Sequence, residues 1–389
     1  MFFHLNKKRI VCIIATILLV LYLNSQIGFG STRISEYSGN SEDYFEKSGS
    51  FYDGGIAKAL TVFESNLFVA DGDDGIEIFD ISLSGDPLLI SKFYDGGKAE
   101  NIKIRGDIAY VADGIDGLEI LNISNINNIV EIGQFSNGEK TYDVEISRDL
   151  AFISQGFSGL RIINISDPTN PTQINSYMDD TKILHARIFE NCMILSENAD
   201  GIVIIDIQDP LNLIPLVSFS DGGKAKKVWN SDKFIFVADG KDGLEILNRT
   251  QSGELTKISQ FYTEFLCVDI QVINNIAFIS EVDGIFSALD LQNPSYPKKI
   301  GEYRNNLKIK SHYIYGDFAY LAMKENGIVI LKVDIPKLQA RNDIDDKIGT
   351  TPYRKISGFS TLSLIGLSFV IIITKKSHLK KHLMCMKQK

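Results

Sequence analysis

The sequence ADGIDGLEILNIS, residues 112–124, contains the pattern that decides the fold. It places a turn rich in Asp and Gly between two runs of β-forming residues, the first ending at Ala112 and the second beginning at Leu118. Aspartate and glycine favour tight turns, whereas short runs of branched and aromatic residues favour strands. The segment therefore predicts a β-hairpin.

The same pattern recurs along most of the chain with a period of about 42 residues. An aromatic residue marks the end of a repeat at Phe51, Phe93, Phe135, Tyr177, Phe219, Phe261 and Tyr303. The glycine that precedes the second run recurs at Gly75, Gly117, Gly159, Gly201, Gly243, Gly284 and Gly327. Each repeat contains short β-forming runs, and none shows a sustained helical period. Seven such repeats of four strands predict an all-β, seven-bladed β-propeller over residues 48–334.

The seventh repeat ends before a fourth strand. Its third strand is predicted within Asn326–Asp334, and a polar stretch follows. Ser48–Gly55 resembles the fourth-strand segment of the first repeat, Ser91–Gly97. We therefore predict that the N-terminal segment is the outer strand of blade seven and pairs with Ile328–Val333, because an unpaired sheet edge is unfavourable.

Four segments carry a family resemblance. ADGDDGIEIFDIS, ADGIDGLEILNIS, SQGFSGLRIINISDPTNP and SENADGIVIIDIQDP resemble LVIVD repeats, and the resemblance covers residues 51–334. It implies a seven-bladed propeller, usually in secreted or surface-anchored bacterial and archaeal proteins, and it implies no particular chemistry. The D-P-x-N-P turn typical of the family is intact only at Asp167–Pro171.

Apolar segments flanked by basic residues lie near both ends of the chain. Ile10–Leu23 follows the basic run Lys7–Arg9 and predicts a signal peptide or a signal anchor. Ile356–Thr374 is long enough to cross a bilayer and predicts a transmembrane helix, which basic residues follow. Because basic residues favour the cytoplasmic side, we expect the propeller outside the cell and the tail in the cytoplasm.

These segments complete the predicted domain organisation. It comprises a signal segment at 1–30, a polar tether at 31–47, the propeller at 48–334, a polar stalk at 335–355, the transmembrane helix at 356–374 and a cytoplasmic tail at 375–389.

The aspartates of the predicted loops are weak candidates for a metal site. They are Asp71, Asp73, Asp74, Asp113, Asp116, Asp239 and Asp242. The segment Asp71–Gly75 resembles the start of a calcium-binding loop, but no Glu follows at the spacing that an EF-hand requires. Turn formation is the favoured interpretation, so no cofactor is expected and calcium is the alternative.

A second candidate set is a ring of lysines where each innermost strand begins, close to the channel. Its members are Lys98, Lys140, Lys182, Lys224 and Lys308, with Asp53, Asp95 and Asp221 on the same loops. Such a ring predicts a site for an anion or an acidic glycan. The alternative is pairing of the lysines with neighbouring aspartates, which stabilises a surface only weakly.

Three Asn-x-Ser/Thr sequences predict glycosylation on the extracellular side, at Asn122, Asn164 and Asn248. The same position holds Asp80 and Asp206 in other repeats, so the alternative is a strand-end residue with a structural role.

Charge and motifs narrow the function. The formal net charge is −9, and since both ends are basic the propeller is more acidic than the whole chain, which disfavours nucleic-acid binding. The four cysteines form no C-x-x-C pair, and no nucleophile-elbow, zinc-protease or phosphate-loop motif occurs.

We expect a membrane-anchored, monomeric cell-surface propeller that acts as a binding or scaffold module for an extracellular protein or glycan. The alternatives are an extracellular lyase or hydrolase with a carboxylate-rich channel mouth, and a structural component of the cell envelope.

Overall fold

The computed structural model describes residues 44–52, 54–82, 87–178, 180–231, 233–250, 253–336 and 338. These residues form seven antiparallel sheets of four strands each. This confirms the predicted all-β, seven-bladed propeller. Both apolar end segments and the basic tail lie outside the described residues. None of the helical segments within the described part of the chain is long and apolar enough to cross a membrane.

Blades one to six each use four consecutive strands. The first three blades comprise β2 (Ala59–Phe63), β3 (Asn66–Ala70), β4 (Ile76–Asp80) and β5 (Leu88–Phe93); β6 (Asn101–Arg105), β7 (Ile108–Ala112), β8 (Leu118–Asn122) and β9 (Val130–Phe135); and β10 (Asp143–Ser147), β11 (Leu150–Ser154), β12 (Leu160–Asn164) and β13 (Thr172–Tyr177). The next three comprise β14 (His185–Phe189), β15 (Cys192–Ser196), β16 (Ile202–Asp206) and β17 (Ile214–Phe219); β18 (Lys227–Asn230), β19 (Phe234–Ala238), β20 (Leu244–Arg249) and β21 (Leu255–Phe261); and β22 (Cys267–Ile273), β23 (Ile276–Glu281), β24 (Ile285–Asp290) and β25 (Lys298–Arg304).

Blade seven joins the two ends of the propeller. It comprises β26 (Ser311–Tyr315), β27 (Phe318–Ala322), β28 (Ile328–Val333) and, at its outer edge, the N-terminal strand β1 (Phe45–Phe51). Phe51 lies opposite Ile328, and Phe45 lies opposite Val333. The pairing predicted for the N-terminal segment is confirmed.

The propeller begins earlier than the predicted boundary at Ser48. Tyr44 and Phe45 are buried, and the Phe45 ring lies 5.2 Å from the ring of Phe286 in blade six. The tether predicted at 31–47 is therefore too long at its C-terminal end, because these two aromatic side chains extend the apolar core.

The predicted stalk at 335–355 is likewise wrong in its first residues. Ile335 and Pro336 form part of a helical turn, and the backbone N–H of Leu338 donates to the carbonyl oxygen of Asp334 at 2.9 Å. Leu338 is fully buried in the cluster that Phe45 joins. The apolar residues Ile335 and Leu338 of this polar stretch thus cover the junction of blades six and seven.

Apolar side chains fill the space between adjacent blades. Tyr110 and Ile120 of blade two, for example, share a buried cluster with Ile153 of blade three. Comparable clusters join the other neighbouring blades. Since full burial of one such side chain stabilises by about 1.5–3 kcal/mol, these interfaces hold the ring together.

The glycine of the repeat has a backbone reason to recur. Gly117 has a φ of 90°, and a Cβ at this position would overlap the carbonyl oxygen of Phe135. The conformation disfavours residues with a side chain, and the close approach of the two backbones leaves no room for one. The turn that contains Gly117 therefore lies against the end of β9, where the aromatic marker Phe135 is located.

Candidate functional site at the channel mouth

One end of the propeller carries two sets of loops. The turns between second and third strands meet the connections that lead into the next blade, as where Gly114 forms a backbone bridge with Thr141. Gly72 and Ala99 form the equivalent bridge one repeat earlier. We call this end the upper face.

A cavity of about 300 Å³ opens where the first strands reach the upper face. Its wall includes one position from each repeat, namely Lys58, Glu100, Tyr142, Leu184, Lys226, Val268 and Lys310. The wall also contains Lys227 and Lys324, with the carboxylates Asp143 and Asp269. Five lysines therefore face three carboxylates in the described wall. We call this space the channel-mouth cavity.

The two aspartates of the cavity wall also hold neighbouring blades together. Asp143 Oδ2 accepts a hydrogen bond from the backbone N–H of Ala186 at 2.8 Å, and Asp269 Oδ2 accepts one from that of His312 at 2.8 Å. Burial alone would raise the pKa of Asp269, but the nearby Lys227 ammonium, 2.8 Å from Asp269 Oδ1, lowers it. Burial raises the pKa of Asp143 to about 6. Both carboxylates are thus tied into the framework.

Lys226 is a lysine of the cavity wall that lies near other lysines. Desolvation, followed by the positive charges of Lys224 and Lys182, lowers the pKa of Lys226. Its Nζ donates to Asn198 Oδ1 at 3.0 Å, which is a neutral partner. An anion in this space would therefore replace repulsion between ammonium groups with attraction.

The predicted lysine ring is partly neutralised. Lys98 Nζ lies 2.7 Å from Asp73 Oδ1, and Lys140 Nζ lies 2.7 Å from Glu100 Oε1. Lys182 instead lies over the Tyr142 ring, 5.6 Å from its centroid. Within the described residues, Lys182, Lys224 and Lys308 form no ion pair. The pairing interpretation therefore holds for Lys98 and Lys140, and an anion site at the other lysines stays a prediction.

The predicted loop aspartates divide into two groups. Asp71, Asp113 and Asp239 are each only 2% exposed, and they pack against Gly55, Gly97 and Gly223 of the adjacent connections. The others are Asp74, Asp116 and Asp242, half-buried at the turn, and the exposed Asp73, which pairs with Lys98. Asp71 and Asp73 thus have different surroundings instead of a shared site.

Burial changes the acidity of the first group. It is the largest cause that raises the pKa of Asp113, to about 7, and that of Asp239, also to about 7. The upper face is consequently less acidic than the count of its aspartates predicts. The enzyme alternative requires a carboxylate-rich channel mouth, whereas the described wall of the cavity contains more lysines than carboxylates. Asp113 and Asp239 lie instead beneath the connections between blades.

Of the remaining loop aspartates, Asp53 lies outside the described residues, and Asp95 and Asp221 are exposed. Asp221 Oδ2 pairs with Lys257 Nζ at 2.6 Å.

Exposed aromatic side chains also lie on the loops of the upper face, and the sequence patterns did not single them out. Tyr52, Tyr94 and Tyr262 are 64%, 61% and 72% exposed at equivalent positions of the connections. Phe157, on a neighbouring turn, is 72% exposed. Each tyrosine follows the aromatic marker of its repeat, and the alternation of side chains along a strand was the available signal.

Two of the three predicted glycosylation asparagines have a structural role. Asn122 Oδ1 accepts a hydrogen bond from the backbone N–H of Ser124 at 2.9 Å, and Asn164 Oδ1 accepts one from that of Ser166 at 3.0 Å. Asp80 makes the equivalent contact with Ser82 at 2.8 Å. Glycosylation stays a prediction.

The fold defines a class, the seven-bladed β-propellers built from sequence repeats. The LVIVD repeat matches residues 54–95, 96–137, 138–179, 222–248, 267–305 and 310–336, more than half of the chain. The chain belongs to the LVIVD-repeat family. The unmatched blade four forms the same four strands as its neighbours.

Other comparisons show the fold alone. No curated protein matches the chain. The crystal structure of the computationally designed Ika8 protein is similar, with a TM-score of 0.56, 8% identity, and coverage of 74% of this chain and 100% of that chain. A chain in the crystal structure of the Mitotic Checkpoint Complex has a TM-score of 0.61 and 10% identity, with coverage of 75% and 94%.

Proposed function

We propose that this protein is a membrane-anchored binding module of the cell surface, and that its upper face binds an acidic glycan. The observation that carries the proposal is the excess of lysines around the channel-mouth cavity. Lys182, Lys224 and Lys308 add further positive charge around it.

The exposed aromatic residues support a polymer in preference to a small ion. Tyr52, Tyr94 and Tyr262 lie exposed on connections of the upper face and provide flat surfaces on which sugar rings can stack. A chain of acidic sugars would contact these rings while its carboxylates reach the lysines. A surface of this kind favours recognition of such a polymer.

The location rests on the two ends of the sequence. A basic run precedes the apolar segment Ile10–Leu23, and lysines follow the apolar segment Ile356–Thr374. We propose that the first directs export and that the second anchors the protein, with the propeller outside and the tail in the cytoplasm.

Binding of the purified full-length protein to a polyuronate, compared with a neutral glycan of the same length, tests the glycan proposal. The double variant Lys224→Glu, Lys310→Glu is expected to weaken polyuronate binding at least about tenfold, and added salt is expected to weaken wild-type binding, because charge pairs are screened. The control is Lys233→Glu at the turn between β18 and β19, on the opposite end of blade five.

Equal affinity of all three proteins for the polyuronate, or equal affinity for the neutral glycan, would contradict the proposal. Selective binding to an acidic peptide instead of the polyuronate would assign the same surface to a protein partner.

A further inference from the structure

Blade two contains a group of carboxylates outside the channel-mouth cavity. Asp95, Glu119 and Glu131 each place a carboxylate oxygen within 4.8 Å of the others. Glu119 lies on the buried strand β8, Glu131 on the outer strand β9, and Asp95 on the connection from blade one. Asp113, at the end of β7, packs beside Gly97 on the same connection.

The buried members of this group have unused ligand atoms. Glu119 and Asp113 are each 2% exposed. Glu119 Oε1 and Asp113 Oδ2 have no hydrogen-bond partner among the described residues. Strand β8 thus carries a buried carboxyl group with an unused oxygen atom, close to the carboxylates of Asp95 and Glu131.

Blade five contains the same arrangement, with a lysine side chain among the carboxylates. Asp221, Asp239 and Glu245 occupy, three repeats later, the positions of Asp95, Asp113 and Glu119. The position of Glu131 is taken there by Lys257. Lys257 Nζ lies 2.6 Å from Asp221 Oδ2 and 2.5 Å from Glu245 Oε1. An ammonium group therefore compensates the carboxylates of blade five.

In blades one and three, the equivalent carboxylates are either paired with a lysine or replaced by amide side chains. In blade one, Lys92 forms an ion pair with Glu77. In blade three, Asn137 and Gln155 replace the two aspartates, and their amide groups donate to each other at 3.0 and 2.9 Å. In the described part of blade two, the four carboxylates form no ion pair with a lysine or arginine.

We propose that blade two binds a divalent metal cation through Asp95, Glu119 and Glu131, with Asp113 beside them. Carboxylate oxygens without histidine or cysteine are a hard ligand set, which suits Ca²⁺, Mg²⁺ or Mn²⁺. Glu131 and Asp95 are exposed, so water completes the coordination. The cation would tie the connection from blade one to the outer strand of blade two, as Lys257 ties the equivalent parts of blade five.

A reciprocal exchange between the two blades tests the proposal. Purified full-length protein is titrated calorimetrically with CaCl₂, MgCl₂ or MnCl₂, and its melting temperature is compared with and without chelator. The wild type is expected to bind one equivalent of at least one of these ions and to melt at a higher temperature when loaded, because a ligand that binds only the native state stabilises it.

Glu131→Lys is expected to bind none of these ions and, in chelator, to melt above the wild type, since it introduces the blade-five lysine. Lys257→Glu is expected to bind a second equivalent. Glu131→Gln, which keeps the size of the side chain, is expected to weaken binding at least about tenfold, and it serves as the matched variant if Glu131→Lys does not fold.

Absence of binding and of any chelator effect in the wild type would overturn the proposal. So would ion binding that is unchanged in both Glu131 variants, because the ion would then bind elsewhere.

Discussion

At the scale of single residues, Gly117 shows why the repeat requires glycine at this position. Alanine there would combine a φ of 90° with overlap between its Cβ and the carbonyl oxygen of Phe135. We expect Gly117→Ala to lower the free energy of unfolding by roughly 2–4 kcal/mol, from backbone strain and from displacement of packed backbone. Urea denaturation followed by tyrosine and tryptophan fluorescence measures the change.

Gly106 provides the control for this substitution. Its φ is 59°, yet nothing lies within 4 Å of an added Cβ. Gly106→Ala should therefore cost only about 1 kcal/mol, the typical cost of a left-handed backbone for alanine. Equal losses in the two variants would show that the close approach to Phe135 has no energetic weight.

Asp239 links the stability of the propeller to pH. Its pKa is raised to about 7, first by burial and then by Asp221 and Asp242. An unfolded aspartate ionises near pH 4, so the native state holds the proton more tightly between about pH 4 and 7. This contribution to stability is complete below pH 4 and is lost as the pH rises to about 7.

We therefore expect Asp239→Asn to become more stable relative to the wild type as the pH rises from 5 to 8. Melting temperatures in chelator measure this difference, and the buried histidines cancel in the comparison. Asp242→Asn, at a half-buried position of the same turn, is the control. A difference that stays constant with pH for Asp239→Asn would show that its carboxyl group titrates normally.

At the scale of elements, β1 determines whether the ring closes. Removing it would leave the edge of β28 unpaired and would take away the buried Phe45 and the half-buried Phe51. Several ladder hydrogen bonds at about 1 kcal/mol each are lost together with this burial, a sum comparable to the total stability of about 5–15 kcal/mol of an ordinary domain. A chain that starts at Ile56 should aggregate or melt far below one that starts at Ser41.

A disulfide tests the register of this closure directly. Glu46 lies opposite Lys332, and both are exposed. Glu46→Cys with Lys332→Cys should form an intramolecular crosslink that peptide mass spectrometry identifies. Glu46→Cys with Thr256→Cys, the position of blade five that is equivalent to Glu46, should not. A missing crosslink in the first pair, with equal stability of the two truncated chains, would refute the closure.

Some of these features could be predicted from the sequence, whereas others depend on contacts between residues that are distant in it. The glycine could be recognised because a positive φ restricts the residue type at this position in every repeat. The aromatic marker could be recognised from its constant spacing of 42 residues. The earlier start of β1 at Phe45 and the burial of Leu338 could not, because both side chains pack on blade six, far away in the sequence. Likewise, the lysine ring was visible from its spacing, but the pairing of Lys98 with Asp73 depends on contacts between blades.

At the scale of the whole molecule, the proposed orientation predicts how intact cells respond to protease. Externally added protease should digest the propeller and leave a small membrane-bound fragment that contains the basic tail, because the tail is expected in the cytoplasm. Immunoblotting with an antibody against residues 375–389 detects this fragment. Full protection of the propeller until the cells are lysed would contradict the orientation.

The pairing of β1 with β28 also determines how the propeller would respond to mechanical load. Phe45 lies opposite Val333, so the chain enters and leaves the ring at the same end of one antiparallel strand pair. A pull applied between these two points would act on the hydrogen bonds of the pair one after another, as in a zipper, and not on all of them in shear. The points where the chain enters and leaves the ring thus lie at a junction that opens gradually under tension. The other blades carry no direct load until β1 has separated from β28.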